Sequence, residues 1–205
     1  MKAPEFQSIR RTAYRETYRD GLTEIAVGVL LFVVALATGR PAFYWTYLVA
    51  ILMLGPGLKR LKARYTYPRV GFAQLPDGDP KRLRTGILSW VLGVFFIIAV
   101  GLTVTGHVTD NLAWRRMAPA IGGLLFGGGF WYLAQRSRLA RHYGVAVASV
   151  ALGLLMVWPD IPEPYGNVRV WALLMALLNL GIGGIVLRGF LRDTPIADER
   201  QPDVG

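Results

Sequence analysis

Apolar residues along this chain gather into six long runs, separated by short segments rich in charge, proline or glycine. Each run has roughly 16 to 21 residues, and they cover approximately 22–38, 42–58, 86–105, 117–134, 143–158 and 170–187. A helix rises 1.5 Å per residue, so runs of this length suit a hydrocarbon core about 30 Å thick. The pattern predicts an all-α membrane protein with six transmembrane helices.

The segments between the runs are unequally charged. The chain has 205 residues and a formal net charge of +10. If both termini lie inside, the inner segments hold 19 of the 23 lysines and arginines, and the outer loops hold Arg40, Arg115, Arg116 and Arg169. This is the bias that orients multi-pass proteins. We therefore expect an inner-membrane protein with cytoplasmic N- and C-termini. Its predicted partner is the anionic inner leaflet, and nucleic acid is not expected.

The predicted helices fall into three hairpins. Residues 1–20 form a basic segment, which is an amphipathic helix on the inner leaflet or, equally, a partly ordered tail. The hairpins cover 21–58, 86–134 and 143–191, with a basic cytoplasmic segment at 59–85 and a disordered tail at 192–205. Gly55-Pro56-Gly57 is expected to end the second helix, because proline disrupts the helical hydrogen bonds. The tryptophans, Trp171 among them, fall near predicted helix ends, as in an aromatic belt.

Glycines recur at related places in these hairpins, which indicates an internal repeat. The odd-numbered helices carry Gly28, Gly93 and Gly153 in similar apolar surroundings, and the even-numbered helices carry Gly55, Gly127 and Gly181. Small residues allow helices to approach closely in lipid. Small residues four apart therefore predict close packing of the fourth, fifth and sixth helices: Gly123 and Gly127, Ser149 and Gly153, Ala172 and Ala176.

Few polar groups lie inside the predicted helices. Asn179 and Ser149 could line a polar path, but such groups more often bond to neighbouring helices. Glu24 lies in the first turn of the first helix. There a carboxylate interacts favourably with the helix dipole and the free backbone N–H groups, and an ion or proton site is the alternative.

The inner segment 59–84 has eight basic and two acidic residues. Orientation explains its basic residues but not the aromatic ones among them. From Tyr65 to Leu75, period-two spacing predicts a short extended element or hairpin against the inner membrane surface. Its candidate contacts with a partner or lipid are Arg64, Tyr65, Tyr67, Pro68, Arg69 and Phe72.

No catalytic or cofactor site is predicted. The chain has no cysteine, and its two histidines, His107 and His142, fall at opposite membrane surfaces, where they cannot share a metal. No nucleophile elbow, phosphate loop or zinc-binding histidine pair is present. Asp77 and Asp79 flank a turn-forming glycine. We therefore expect a protein that is not an enzyme and holds no cofactor or metal.

One motif in the inner segment resembles a known pattern. Residues 67–72, Tyr-Pro-Arg-Val-Gly-Phe, resemble a Tyr-Pro-Arg-x-Gly-aromatic stretch of uncharacterised bacterial polytopic membrane proteins, and Asp20-Gly21-Leu22-Thr23-Glu24 fits the same pattern. The hairpin repeat is also similar, in architecture alone, to small six-span membrane proteins of the acid-resistance HdeD type. These resemblances imply a membrane fold and no activity.

Three functions are compatible with these features. The first is a non-enzymatic membrane protein that acts through assembly, as a homo-oligomer or as an accessory to a membrane protein partner. The second is a small transporter or channel for a neutral or lipid-like solute, with Asn179 and Ser149 near its path. The third is a sensor of anionic lipid through the segment 59–84, since each basic residue near an anionic leaflet contributes about 1 kcal/mol.

Overall fold

The computed structural model describes residues 15–39, 44–70, 112–159, 161 and 166–195. All regular structure in these ranges is helical: α1 (Leu22–Ala37), α2 (Tyr44–Tyr65), α3 (Tyr67–Val70), α4 (Leu112–Ser137), α5 (Ala140–Leu155) and α6 (Gly166–Asp193). The all-α prediction is confirmed for these residues. The predicted third membrane helix at 86–105, residues 1–14 and residues 196–205 lie outside the described ranges.

Helix α1 begins and ends close to the predicted boundaries. Gly21 precedes it with a φ of +74°, a backbone conformation that side chains disfavour. At the other end, the hydroxyl of Thr38 donates to the carbonyl oxygen of Val34 at 2.7 Å. The apolar stretch therefore accounts for nearly the whole helix.

Helix α2 is longer than predicted, because it continues through Gly55-Pro56-Gly57 to Tyr65. The expectation that this stretch ends the helix is wrong. The basic residues that follow it remain helical, which carries Lys62 and Tyr65 on the same helix as the apolar run. Charged residues thus extend a helix that the hydrophobic pattern alone would end earlier.

The stretch after α2 is also helical as far as it is described. Residues Tyr67–Val70 form the short helix α3, and the amide nitrogens of Arg69 and Val70 both donate to the carbonyl oxygen of Thr66. The predicted extended element is therefore wrong for residues 65–70. The remainder of that prediction, residues 71–75 including Phe72, lies outside the described residues.

Glycines bring α4 and α5 into close contact. A Cβ atom on Gly123 would lie 2.6 Å from the carbonyl oxygen of Ser149, and one on Gly153 would lie 2.6 Å from that of Pro119. Neither contact leaves room for a side chain, so the two backbones approach directly. The predicted pairing of the fourth and fifth helices is confirmed.

Helix α6 packs chiefly against α1, with fewer contacts to α4 and α5. Ala172 and Ala176 are fully buried, as expected of a contact face. The expectation that α6 packs as closely on α4 and α5 as these two pack on each other is wrong. Helices α5 and α6, which are consecutive, are not close partners.

The pairs α4–α5 and α6–α1 share one contact pattern. A Cβ on Gly127 would lie 2.6 Å from Val150 Cγ2 and 3.0 Å from the carbonyl oxygen of Ala146. A Cβ on Gly183 would lie 2.7 Å from Ile25 Cγ1 and 2.9 Å from the carbonyl oxygen of Gly21. In both pairs the contacted residues are four apart. In this contact pattern Gly183, and not Gly181, occupies the position that Gly127 has in the other pair.

The buried core lies where the helices α1, α4, α5 and α6 meet. It contains Leu31, Ala35, Phe130, Val145, Ala146, Trp171, Ala172, Met175 and Ala176. Trp171 is 2% exposed, and its ring packs against Gly122 and the ring of Phe126. The prediction that Trp171 belongs to an aromatic belt is wrong, because its ring is buried inside the bundle. Trp158, in contrast, is 77% exposed.

Two helices, Arg116–Ser137 and Gly166–Asp193, are long and apolar enough to cross a membrane by length and composition. Two more, α1 and α5, are apolar but have 16 residues each. These properties are compatible with a membrane protein.

The helices run alternately, so that one end of the bundle gathers the start of α1, the end of α2, the end of α4, the start of α5 and the end of α6. The described lysines and arginines lie at or next to these helix ends, apart from Arg115, Arg116 and Arg169 near the starts of α4 and α6. We refer to this end as the basic end.

Candidate functional site

A buried group of charged and polar side chains lies at the basic end, between the ends of four helices. We call it the helix-end cluster, and it consists of Asp20, Glu24, Lys62, Thr66, Ser137, Arg141 and His142. Six of these residues are at most 5% exposed, and the side chain of Arg141 is 19% exposed. Buried charges are costly unless they are paired, so the partners of each group decide what the cluster does.

Asp20 connects the start of α1 to the end of α2. One carboxylate oxygen accepts a hydrogen bond from the amide of Leu22 at 3.1 Å, which satisfies a free N–H of the first turn. The other oxygen accepts from the hydroxyl of Thr66 at 2.6 Å and lies 3.8 Å from Lys62 Nζ. Both interactions fix the end of α2 against the first turn of α1.

Glu24 connects α1 to α5. Its Oε1 atom accepts from Arg141 Nε at 2.5 Å and lies 2.9 Å from His142 Nε2. Glu24 lies in the first turn of α1 as predicted, and the hydrogen bonds of its carboxylate cross the helix interface to α5. The other oxygen, Oε2, is buried and has no hydrogen-bond partner among the described residues.

His142 lies between a carboxylate and a hydroxyl. Its Nδ1 atom is 2.8 Å from Ser137 Oγ, which also accepts from the amide of Leu139 at 3.4 Å. The rings of Tyr18 and Phe130 lie 6.5 Å and 6.2 Å from the imidazole, and Tyr18 meets it edge-on. The ring is thereby closed off from solvent on both sides.

The two cations of the cluster also bind the segment that precedes α1. Lys62 Nζ donates to the carbonyl oxygen of Thr17 at 2.6 Å and lies 4.4 Å from the centre of the Tyr18 ring. Arg141 Nη2 donates to the carbonyl oxygen of Tyr18. Burial lowers the pKa of Lys62, and the nearby carboxylate of Asp20 acts in the opposite direction. Residues 17–20 are thus attached to α2 and α5 through side-chain charges.

The predicted intramembrane residues Ser149 and Asn179 form separate contacts. Ser149 Oγ donates to the carbonyl oxygen of Gly123 at 3.1 Å, which joins α5 to α4. Asn179 Nδ2 donates to the carbonyl oxygen of Met175 on its own helix at 2.8 Å. Asn179 Oδ1 has no partner among the described residues. Of the three predicted intramembrane residues, Glu24 is the one that belongs to the cluster.

The predicted contact residues of the inner segment border the helix-end cluster, and their side chains are more exposed than those of the cluster. Arg64 and Pro68 are exposed, whereas Tyr65, Tyr67 and Arg69 are half-buried. Arg69 Nη1 donates to the carbonyl oxygen of Tyr65 at 2.8 Å, which holds α3 against the end of α2. The buried neighbour Thr66, which was not predicted, is the residue of this stretch that bonds to α1.

Sequence reasoning missed most of the cluster because it assigned these residues other roles. Orientation is a sufficient explanation in the sequence for the basic residues of the inner segments, which include Lys62 and Arg141. A usable signal was available: Asp20 and Glu24 are one turn apart at the predicted inner end, where basic residues from two other segments were also expected.

No family model, curated protein or solved structure matches this chain. What the structure itself shows is a buried ion-pair network that fastens four helix ends and includes an imidazole held between a carboxylate and a hydroxyl.

Proposed function

We propose that this chain is an integral inner-membrane protein that crosses the bilayer six times, with both termini on the cytoplasmic side. The observation that carries the proposal is the distribution of polarity. Leu177 and Ile185 are 62% and 77% exposed, whereas Glu24, His142 and Asn179 are fully buried. Water disfavours extended apolar surfaces, and lipid accommodates them.

The proposed orientation is supported by the charges of the described helix ends. The basic end holds the lysines and arginines of residues 15–19, 59–69, 136–141 and 188–192, whereas the opposite end holds three arginines. A positive excess of this kind is typical of cytoplasmic loops. The basic end would then face the cytoplasm and the anionic headgroups of the inner leaflet.

The chain is further proposed to descend from a repeated helical unit. Support comes from the matching contacts of Gly127 with α5 and of Gly183 with α1, together with Gly153 and Gly28, which follow Val150 and Ile25 by three residues. The repeated contact joins the second helix of one predicted hairpin to the first helix of another, so this unit differs from the hairpins 86–134 and 143–191 of the sequence analysis.

The proposed task is non-enzymatic and depends on assembly of the helices with a second copy or with a membrane protein partner. Support comes from the outward face of α6, where Gly181 lies between Leu177 and Ile185 and a Cβ built on it would meet no atom of another described element within 4 Å. A glycine between large exposed side chains permits another helix to approach closely. Helix α2 has a similar face at Leu52, Met53 and Gly55.

Single-cysteine cross-linking tests the assembly proposal, because the natural chain has no cysteine. Leu177→Cys and Ile185→Cys are treated with a short bis-maleimide in isolated inner membranes. We expect an adduct of dimer mass, or of one defined partner, at both positions. Leu178→Cys is the matched control on the same helix, since Leu178 packs against the buried core and should give no adduct.

Two results together would refute assembly through this face: no adduct at either outward position, and a monodisperse monomer after extraction in mild detergent. A monomer embedded in the membrane would still agree with the proposed membrane fold. The assembly function would then have no support.

A further inference from the structure

We propose that His142, with Glu24 as its counter-ion and Ser137 as its hydrogen-bond partner, forms a proton-binding site. The ligand is a single proton. The argument rests on the geometry of the three side chains and on the charges that surround them.

The first step concerns the neutral form of His142. A carboxylate is a hydrogen-bond acceptor only, and Glu24 Oε1 lies 2.9 Å from Nε2 of the imidazole. With Glu24 ionised, Nε2 must therefore carry the hydrogen and donate it. In the neutral ring, Nδ1 then has a lone pair, which faces Ser137 Oγ at 2.8 Å.

The second step concerns the place where an added proton binds. A serine hydroxyl can donate or accept, and its hydrogen rotates to suit its partner. When Nδ1 is unprotonated, Ser137 donates to it. When Nδ1 gains a proton, the imidazolium donates to Ser137 Oγ instead. The proton is therefore accommodated without movement of a heavy atom.

The third step concerns charge. Five titratable side chains face the site: Tyr18 and Asp20 from the segment before α1, Glu24 from α1, Lys62 from α2 and Arg141 from α5. Helix α4 contributes Ser137 and the Phe130 ring, which are uncharged. With His142 neutral, two carboxylates balance Lys62 and Arg141. Proton uptake changes the net charge of this group from zero to +1.

The fourth step identifies what offsets that positive charge. Glu24 is fully buried, and its second oxygen, Oε2, has no donor among the described residues. A carboxylate with an unsatisfied oxygen is less stabilised than one bonded at both oxygens, and it gains from an adjacent cation. Imidazolium formation supplies that cation at an atom already in contact with Oε1.

Nitrogen NMR of the full-length protein in lipid bilayers tests the proposal. The chain has two histidines, so the His107→Gln variant leaves His142 as the single histidine. With nitrogen-15 histidine, the chemical shifts of Nδ1 and Nε2 report tautomer and protonation directly. We expect the tautomer with hydrogen on Nε2 in the neutral ring, and reversible conversion to imidazolium on acidification within the pH range over which the protein stays folded.

Two variants in the same background separate the proposal from ordinary histidine titration. Glu24→Gln removes the counter-ion, and imidazole protonation should then require a pH lower by about one unit, a tenfold loss of proton affinity. Ser137→Ala keeps the counter-ion and removes the acceptor for Nδ1–H, so it should lower the proton affinity by a smaller factor. Ser137→Ala also guards against the possibility that Glu24→Gln does not fold.

Any of three results overturns the proposal. The first is an imidazole whose signals do not change across this pH range. The second is a neutral form with hydrogen on Nδ1. The third is a protonation midpoint that neither Glu24→Gln nor Ser137→Ala alters, which would mean that neither partner contributes to proton binding.

Discussion

At the scale of single residues, Arg141 is the side chain that offsets the free-energy cost of burying the carboxylate of Glu24. Its guanidinium donates to Glu24 Oε1 and to the carbonyl oxygen of Tyr18, so it bonds both α1 and the segment before it. Removing one partner of a buried ion pair leaves an uncompensated charge, which costs more than the pair itself contributes. Arg141 should therefore dominate the stability of the helix-end cluster.

Arg141→Ala should lower the free energy of unfolding by about 3–5 kcal/mol, because Glu24 would remain buried with His142 as its one described partner. Unfolding with sodium dodecyl sulfate in mixed micelles measures this change. Arg138→Ala, at an exposed position in the connection between α4 and α5, is the matched control and should change the value by less than about 0.5 kcal/mol.

A double variant distinguishes the ion pair from a general effect of truncation. If Glu24→Gln is added to Arg141→Ala, the buried charge disappears, and part of the lost stability should return. Additive losses for the two substitutions would show that the residues contribute independently, contrary to the contact between them.

At the scale of helices, close backbone contact is the feature that holds α4 and α5 together. A Cβ on Gly153 would lie 2.6 Å from the carbonyl oxygen of Pro119 and 3.0 Å from the Cα atom of Gly123. Both obstacles are backbone atoms, which cannot rotate away as a side chain can. A methyl group at this position must therefore move one helix.

Gly153→Ala should lower the free energy of unfolding by about 1–3 kcal/mol, the usual cost of overpacking. Gly144→Ala is the matched control, since Gly144 lies in the same helix and has nothing within 4 Å of its Cβ position. There the substitution should be neutral or stabilising by up to about 1 kcal/mol, because alanine favours the helix. Equal effects at the two positions would contradict the close contact.

Helix positions could largely be predicted from the sequence, and their ends less well. Helix α1 was expected at 22–38 and is found at Leu22–Ala37, because charged residues and glycine border its apolar run. Helix α2 exceeds its apolar run, because backbone hydrogen bonds continue through Lys59 to Arg64. Hydropathy identifies the apolar part of a helix, and the ladder of hydrogen bonds extends beyond it.

The candidate site could be predicted only in part, because its partners come from segments far apart in the sequence. Glu24 is a candidate in the sequence because it lies in the first turn of the first predicted helix. Its partner Arg141 is not, because it lies 117 positions away in sequence. Basic residues at an inner helix end have a sufficient explanation in topology. Distinguishing a paired arginine from an orienting one requires knowledge of which helices are neighbours.

At the scale of the whole molecule, the pairing of α6 with α1 joins the two ends of the described chain. Small residues indicated which helix faces make contacts, but several helices have such faces, and sequence order favoured consecutive partners. The close contacts join α4 to α5, which are consecutive and were predicted to pair, but they also join α6 to α1, which are not consecutive. The helix-end cluster connects the two pairs through Glu24 and Arg141. Stability at the α1–α6 contact and geometry at His142 should therefore be coupled.

Gly183→Ala tests that coupling. A Cβ on Gly183 would lie 2.8 Å from the amide nitrogen of Ile25 and 2.9 Å from the carbonyl oxygen of Gly21, so α6 must move relative to the first turn of α1. Because Glu24 lies in that turn, the displacement should alter the nitrogen signals of His142 and lower the free energy of unfolding by about 1–3 kcal/mol. Gly189→Ala on the same helix, with nothing within 4 Å of its Cβ position, should do neither. A loss of stability in Gly183→Ala with unchanged His142 signals would mean that the α1–α6 contact and the helix-end cluster respond independently.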